Sequence, residues 1–237
     1  SSPNCATTST TPGWPSPTGE RVCSRPRPPT TSARGGCRPD DSAVGRVDPG
    51  EDRLVDHRVD VSATQLVVRD VRAAMATVSA ACFGHPADDL LLIGVTGTNG
   101  KTTTTWMLQN IFTAARRRVE VLGTLSGART TPESPDLQRQ LAQWRDEGVD
   151  VVAMEVSSHA LEHHRVDGIV FDVAVFTNLG QDHLDFHGNM DNYFAAKRKL
   201  FTSELTRVAV VNTDDAYGQK LHTEAFVPTT TFSLANV

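Results

Sequence analysis

"LLIGVTGTNGKTTTTWMLQN", residues 91–110, decides how the rest of the chain is read. An apolar run of strand length stops at Gly97, and a helix-like stretch begins near Lys101. Between them lie Gly97, Thr98, Asn99, Gly100, Lys101, Thr102 and Thr103. Glycines let a backbone wrap closely around an anion, with successive N–H groups turned toward it. The N-terminus of the following helix adds partial positive charge. Lys101 has the reach for β- and γ-phosphates, and the Thr102 hydroxyl is placed to hold Mg²⁺. The loop departs from the strict G-x-x-x-x-G-K-[ST] pattern. Val95 stands where the first glycine would be, and the extra glycine is Gly97.

Outward from this loop, strands and helices alternate. "TQLVVRD" reads as a short strand, and "DVRAAMATVSAACF" as a helix capped by Asp70, with Cys82 in its core pattern. "KTTTTWMLQNIFTAARR" reads as a helix burying Met107, Leu108, Ile111 and Phe112. "VEVLGTL" is a strand, "SPDLQRQLAQWRDEG" a helix closed by Gly148, and "VDVVAMEV" a strand ending in Glu155. "GIVFDVAVFTN", "TRVAVVNTDD" and "VPTTTFSL" are further strands, with helices in "MDNYFAAKRKLF" and "AYGQKLHTEA". The fold class is therefore α/β, a mainly parallel sheet covered on both faces. Ligands collect at the carboxyl ends of such strands. Residues 96–103, 155–159 and 177–187 all fall there. The basic run Arg116–Arg118 sits at a helix C-terminus, where it complements the helix dipole.

Composition bounds the answer. The chain has 237 residues and a formal charge of −5, which favours neither nucleic acid nor an anionic membrane as partner. No apolar run approaches the ~20 residues of a membrane span, and no secretory signal is evident. A cytoplasmic monomer is expected. Residues 1–50 contain no Leu, Ile, Met or Phe but nine of the thirteen prolines, with Cys5, Cys23 and Cys37. Such a stretch buries too little apolar surface to offset its ordering entropy, so a disordered tail is expected; a cysteine-stapled module is the alternative.

Other residues carry chemistry. A carboxylate at Glu155, ending a buried strand beside the loop, is costly without a cation. Mg²⁺ prefers few carboxylates plus phosphate oxygens, so Glu155 with Thr102 suits it; a helix-capping role is the alternative. His183, Asp185 and His187, or His159 with His163 at helical spacing, could instead hold zinc. Lys197, among the cations of "YFAAKRKLF", reads as an exposed helix face. Thr130 and Thr131 offer hydroxyls to an anionic ligand. Ser157 and Arg165 flank the turn after Glu155, and an arginine suits a bidentate grip on carboxylate or pyrophosphate. Asn212 and Asp214 read as a turn and a helix cap.

"GVTGTNGKTTT", together with "TTPESPDLQ", "AMEVSSHAL…RVDG" and "FDVAVFTNLGQDHLDFHGNMDNYFAAK", resembles the Mur ligase family, ATP-dependent enzymes that add amino acids to the peptide of cell-wall precursors. Order and spacing are most similar to the branch that adds the third residue. The resemblance runs from about residue 58 to the end. It implies ATP and Mg²⁺ as cofactors, and UDP-N-acetylmuramoyl-dipeptide and an amino acid as partners. It implies Lys101, Glu155, His183 and Lys197 as catalytic, with Thr102, Glu155, His183 and a carbamylated Lys197 as metal ligands. It implies that Thr130, Thr131, Ser157 and Arg165 hold the UDP-sugar peptide. Where relatives carry a glutamine contact, this chain has His163. The implied organisation is a low-complexity stretch over 1–53, the end of an N-terminal substrate domain over 54–88, and a truncated central ATP-binding domain over 89–237, without the family's C-terminal domain. A folylpolyglutamate-synthase-like ligase and a non-catalytic ATP-binding module remain alternatives.

Overall fold

The computed structural model describes residues 53–57, 65–125 and 129–234. The expectations for residues 1–50, including Cys5, Cys23 and Cys37, lie outside the described residues. Strand β1 (Arg53–Val55) pairs in parallel with β2 (Gln65–Val67) as a separate two-stranded sheet. Helix α1 (Val71–Cys82) follows, its N-terminus capped by the Asp70 carboxylate accepting from the Ala73 N–H at 3.0 Å.

The main unit begins with β3 (Leu91–Thr96), α2 (Lys101–Ala114) and β4 (Val119–Leu122). Next come α3 (Ser134–Asp146), β5 (Val151–Glu155) and the short α4 (Ser158–Glu162). The chain then forms β6 (Phe171–Phe176), α5 (Leu184–His187) and α6 (Met190–Arg198). It closes with β7 (Thr206–Asn212), α7 (Ala216–Glu224) and β8 (Thr229–Phe232). The six strands order as β4-β5-β3-β6-β7-β8, every neighbouring pair parallel. The α/β parallel sheet read from the sequence is thus the observed architecture.

The order places the site. From β3 the chain moves outward to β4, returns to β5, and then crosses to β6 on the other side of β3. The sheet reverses direction around β3, and such a switch point opens a crevice at the strand ends. The loop after β3 sits in it.

Leu92, Met154 and Phe176 from the strands, Leu137 and Leu141 from α3, and Tyr193 and Phe194 from α6 form the larger core cluster. On the other face Ile93, Val95 and Val151 pack under Leu108 and Phe112 of α2. Two sequence readings are corrected here. Met107 and Ile111 are 59% and 61% exposed. Helix α2 covers the sheet as a single outer layer, so only the narrow stripe of Thr105, Leu108 and Phe112 turns inward; residues one position earlier are rotated by about 100°. Cys82 is exposed rather than core. The buried stripe of α1 is Ala76, Ser79 and Ala80, and Cys82 lies off it.

Candidate active site

The loop after β3 is built on two glycines with positive φ, Gly97 and Gly100. Gly97 has φ +147°, and a Cβ there would lie 1.9 Å from the Thr177 hydroxyl oxygen. Gly100 (φ +86°) turns the chain into α2. Lys101 opens that helix and folds back, its Nζ donating to the carbonyls of Gly97 and Thr98, both at 2.9 Å. Burial pushes its pKa down, while Glu155 and Asp182 act in the opposite direction.

The segment after β6 braces the loop. The Thr98 N–H donates to the Asn178 carbonyl at 2.9 Å. The Asn178 side chain grips both sides of the Asn99 peptide: its Oδ1 accepts from the N–H at 3.0 Å, and its Nδ2 donates to the carbonyl at 3.1 Å. The Thr177 hydroxyl donates to the same carbonyl at 2.7 Å. A loop held this firmly keeps the N–H groups at the N-terminus of α2 in fixed positions for an anion, so little ordering entropy is lost on binding.

Glu155 ends β5 opposite Val95 and is only 1% exposed. The Thr102 hydroxyl donates to its Oε1 at 2.9 Å, and the Thr124 N–H to the same oxygen at 3.0 Å. The Thr124 hydroxyl meets Oε2 at 3.2 Å. Gly123 leaves room for the carboxylate, since a Cβ there would stand 2.2 Å from Oε1. A buried carboxylate beside a hydroxyl and a phosphate-type loop suits a hard cation that takes few protein ligands.

Lys197 corrects the reading of its residues taken alone. It is not solvated but 2% exposed, and its Nζ donates to the Gly97 carbonyl at 3.0 Å. Burial, reinforced by the neighbouring Lys101, lowers its pKa to about 7. The unfolded chain therefore holds this proton between pH 7 and 10.5 while the folded chain has released it. The burial penalty is full below pH 7 and fades as pH rises through that window. Urea midpoints should accordingly climb from pH 7 to 9 more steeply in wild type than in Lys197→Met. Equal slopes would place Lys197 in solvent.

His183 sits at the head of α5 in a left-handed conformation (φ +50°). Its ring packs edge-on to His159 with centroids 5.0 Å apart, and lies 6.0 Å from that of Tyr193. Among the described residues, no group of three or more His, Cys, Asp or Glu side chains converges as a metal-holding set. His187 is buried and hydrogen-bonded to the Ser158 hydroxyl at 2.9 Å, and His163 is turned to Phe186. Burial lowers the pKa of His159, His163 and His187 alike.

The candidate substrate residues gather at one end of this crevice. Thr130 meets Thr124 hydroxyl to hydroxyl at 3.1 Å. Thr131 is buried; its hydroxyl donates to the Glu155 carbonyl at 2.9 Å and accepts from the Ser157 N–H at 3.2 Å, so it fixes the strand end. The Ser157 hydroxyl caps α4 by accepting from the Ala160 N–H. Arg165 donates to the Thr131 carbonyl at 3.3 Å and pairs with Glu133 at 2.7 Å. Glu133 also meets Arg129 and, at 3.6 Å, Arg72.

Sequence reasoning missed Thr177, Asn178, Thr124 and Gly123. Asn178 had a partial signal, a polar residue just after a strand expected beside the loop. Thr177 shared that strand-end signal, while Thr124 and Gly123 had none, because the carboxylate they meet lies more than 30 residues away.

A parallel sheet with a glycine loop at its switch point, a lysine folded over that loop and a buried carboxylate beside it define an α/β domain with the form of a phosphate-loop fold. Residues 95–237 match the Mur ligase middle domain, and the chain belongs to that family. It is 46% identical over 194 residues to the UDP-N-acetylmuramoyl-L-alanyl-D-glutamate–2,6-diaminopimelate ligase of Geobacter metallireducens, covering 75% of this chain and 38% of that protein. The Streptomyces avermitilis ligase of the same name is 49% identical over 177 residues, covering 71% of this chain and 35% of its own. A solved structure of a ligase with that name superposes with TM-score 0.67 at 30% identity, over 77% of this chain and 40% of the other. This chain thus spans well under half the length of these relatives. Among the described residues no helix is long and apolar enough to cross a membrane.

Proposed function

We propose that this chain carries the ATP-handling centre of a ligase that adds diaminopimelate to UDP-N-acetylmuramoyl-dipeptide. The observation that carries the reading is the convergence of Lys101, Thr102, Glu155 and Lys197 on one loop beside β3. The choice of diaminopimelate is supported by the names of the relatives at 46% and 49% identity. In this reading residues 89–237 form the ATP-binding part, and residues 54–88 end the domain before it.

The loop N–H groups and Lys101 hold the triphosphate and stabilise charge on the transferring phosphoryl. The dipeptide's free carboxylate attacks the γ-phosphorus, ADP leaves, and an acyl phosphate results. The incoming amine attacks the acyl carbon; phosphate leaves, the nitrogen loses a proton, and an amide remains. Thr130, Ser157 and Arg165, on the strand end that buried Thr131 fixes, form the wall on which the dipeptide end of the substrate is positioned. Thr102 and Glu155, with His183 and a carbamylated Lys197, would hold Mg²⁺, which supplies neutralising positive charge at the phosphates. Lys197 suits carbamylation because, with its pKa lowered to about 7, a substantial share of its amine is neutral near that pH: its nitrogen attacks CO₂ and releases one proton.

The test is ligation by a full-length ligase carrying this segment. Glu155→Ala should lower dipeptide-dependent ADP release by about 10³-fold or more, the several kcal/mol that an ordered metal site supplies. Turnover at the wild-type rate would overturn the assignment.

A further inference from the structure

We infer that Tyr193 is a positioning residue that fastens the helix bearing Lys197 to the phosphate loop, an inference that rests on the ATP-handling role proposed above. Tyr193 is 1% exposed, and its hydroxyl lies 3.2 Å from that of Thr98. The Thr98 hydroxyl has two further partners, accepting from the Gly180 N–H at 3.0 Å and donating to the Gly180 carbonyl at 3.2 Å. A hydroxyl has one proton and two lone pairs. The Gly180 N–H must donate, and the proton of Thr98 goes to the Gly180 carbonyl. Tyr193 is therefore the donor to Thr98, and it completes that hydroxyl's capacity.

The ring of the same residue carries a second contact. Lys197 follows one turn later on α6, and its Nζ stands 4.6 Å from the ring centroid. From there Lys197 reaches the Gly97 carbonyl at 3.0 Å. One side chain thus ties α6 to two successive loop residues, directly to Thr98 and through Lys197 to Gly97. His187 also packs against this ring, tilted, with centroids 4.9 Å apart. A phenylalanine would fill this core position equally well. A buried phenol is retained at a desolvation penalty unless its hydroxyl is used, and here its use is the loop. Tyr193 touches no phosphate position itself; it acts through Thr98 and Lys197.

Tyr193→Phe keeps the ring and removes the tether. In the full chain, titration calorimetry with Mg²⁺-ATP should show affinity weakened about 3- to 10-fold, the range of one hydrogen bond. Unfolding without nucleotide should stay close to wild type. Thr98→Val should weaken binding as well, and the double variant by less than the product of the two, because both remove one bond. In a full-length ligase Tyr193→Phe should raise KM for ATP more than it lowers kcat. Tyr193→Leu, which also removes the ring beneath Lys197, should lower kcat further. Wild-type ATP affinity in Tyr193→Phe, or multiplicative effects in the double variant, would overturn the inference even with nucleotide binding intact. Lys101→Ala is the control: a wild-type chain blind to ATP and indifferent to that change would overturn the ATP-handling role, and this inference with it.

Discussion

Lys101→Ala should remove the thermal stabilisation that Mg²⁺-ATP is expected to confer on the wild-type chain. At present the Lys101 ammonium holds two carbonyls of its own loop, each at 2.9 Å. Those carbonyls are neutral acceptors, and the amine is partly buried, so a phosphate offers it a stronger, charge-assisted partner. Hydrogen bonds to charged groups contribute about 1.5–3 kcal/mol, so losing the amine weakens binding by roughly 10- to 150-fold. At a hundredfold excess over Kd, ligand raises stability by about 2.7 kcal/mol. For a chain of this size that is a rise of about 5–11 °C in Tm. With binding a hundredfold weaker, the same ATP concentration leaves about 0.4 kcal/mol, or roughly 1 °C. Scanning fluorimetry with and without Mg²⁺-ATP makes the measurement. Equal shifts in both proteins would show that the loop does not hold the phosphates through this lysine.

Gly97→Ala should damage both the fold and the loop. Its Cβ would fall 1.9 Å from the Thr177 hydroxyl and 3.0 Å from the Asn178 carbonyl, at φ +147°. The first clash cannot be relieved by a rotamer without breaking the bond from Thr177 to Asn99. Backbone strain and lost loop bonds together set an expected destabilisation of about 3 kcal/mol or more, with ATP binding abolished. Gly188→Ala is the matched comparison. Gly188 also has positive φ, +79°, but nothing lies within 4 Å of its Cβ position. It should lose only the backbone strain of a positive φ, about 1–3 kcal/mol. Urea unfolding of both variants separates crowding from strain; similar losses would mean that the loop relaxes around residue 97.

These two arguments start from a stretch that was legible from the beginning. A strand, a glycine loop and a helix opening on lysine are local signals, and each is carried by neighbours in sequence. Glu155 was legible for a related reason, as a charge ending an apolar run that had to be buried. Lys197 was opaque because its depressed pKa arises from Lys101 and from tertiary burial, while "KRK" in a helix looks solvated. Only the resemblance to a family marked it. Met107 and Ile111 were misread because a helix pattern gives the apolar arc but not how many neighbours cover it. Thr131 was read as a ligand hydroxyl, yet it is buried and committed to the backbone of residues 155 and 157. A hydroxyl's partner is a matter of three dimensions, and no spacing in the sequence records it.

The carboxylate of Glu133 reaches Arg72 in α1, Arg129 before α3 and Arg165 after α4. In hereditary terms residue 133 is pleiotropic. One codon change there touches a neighbouring turn and two distant segments at once, taking one partner from an arginine in each.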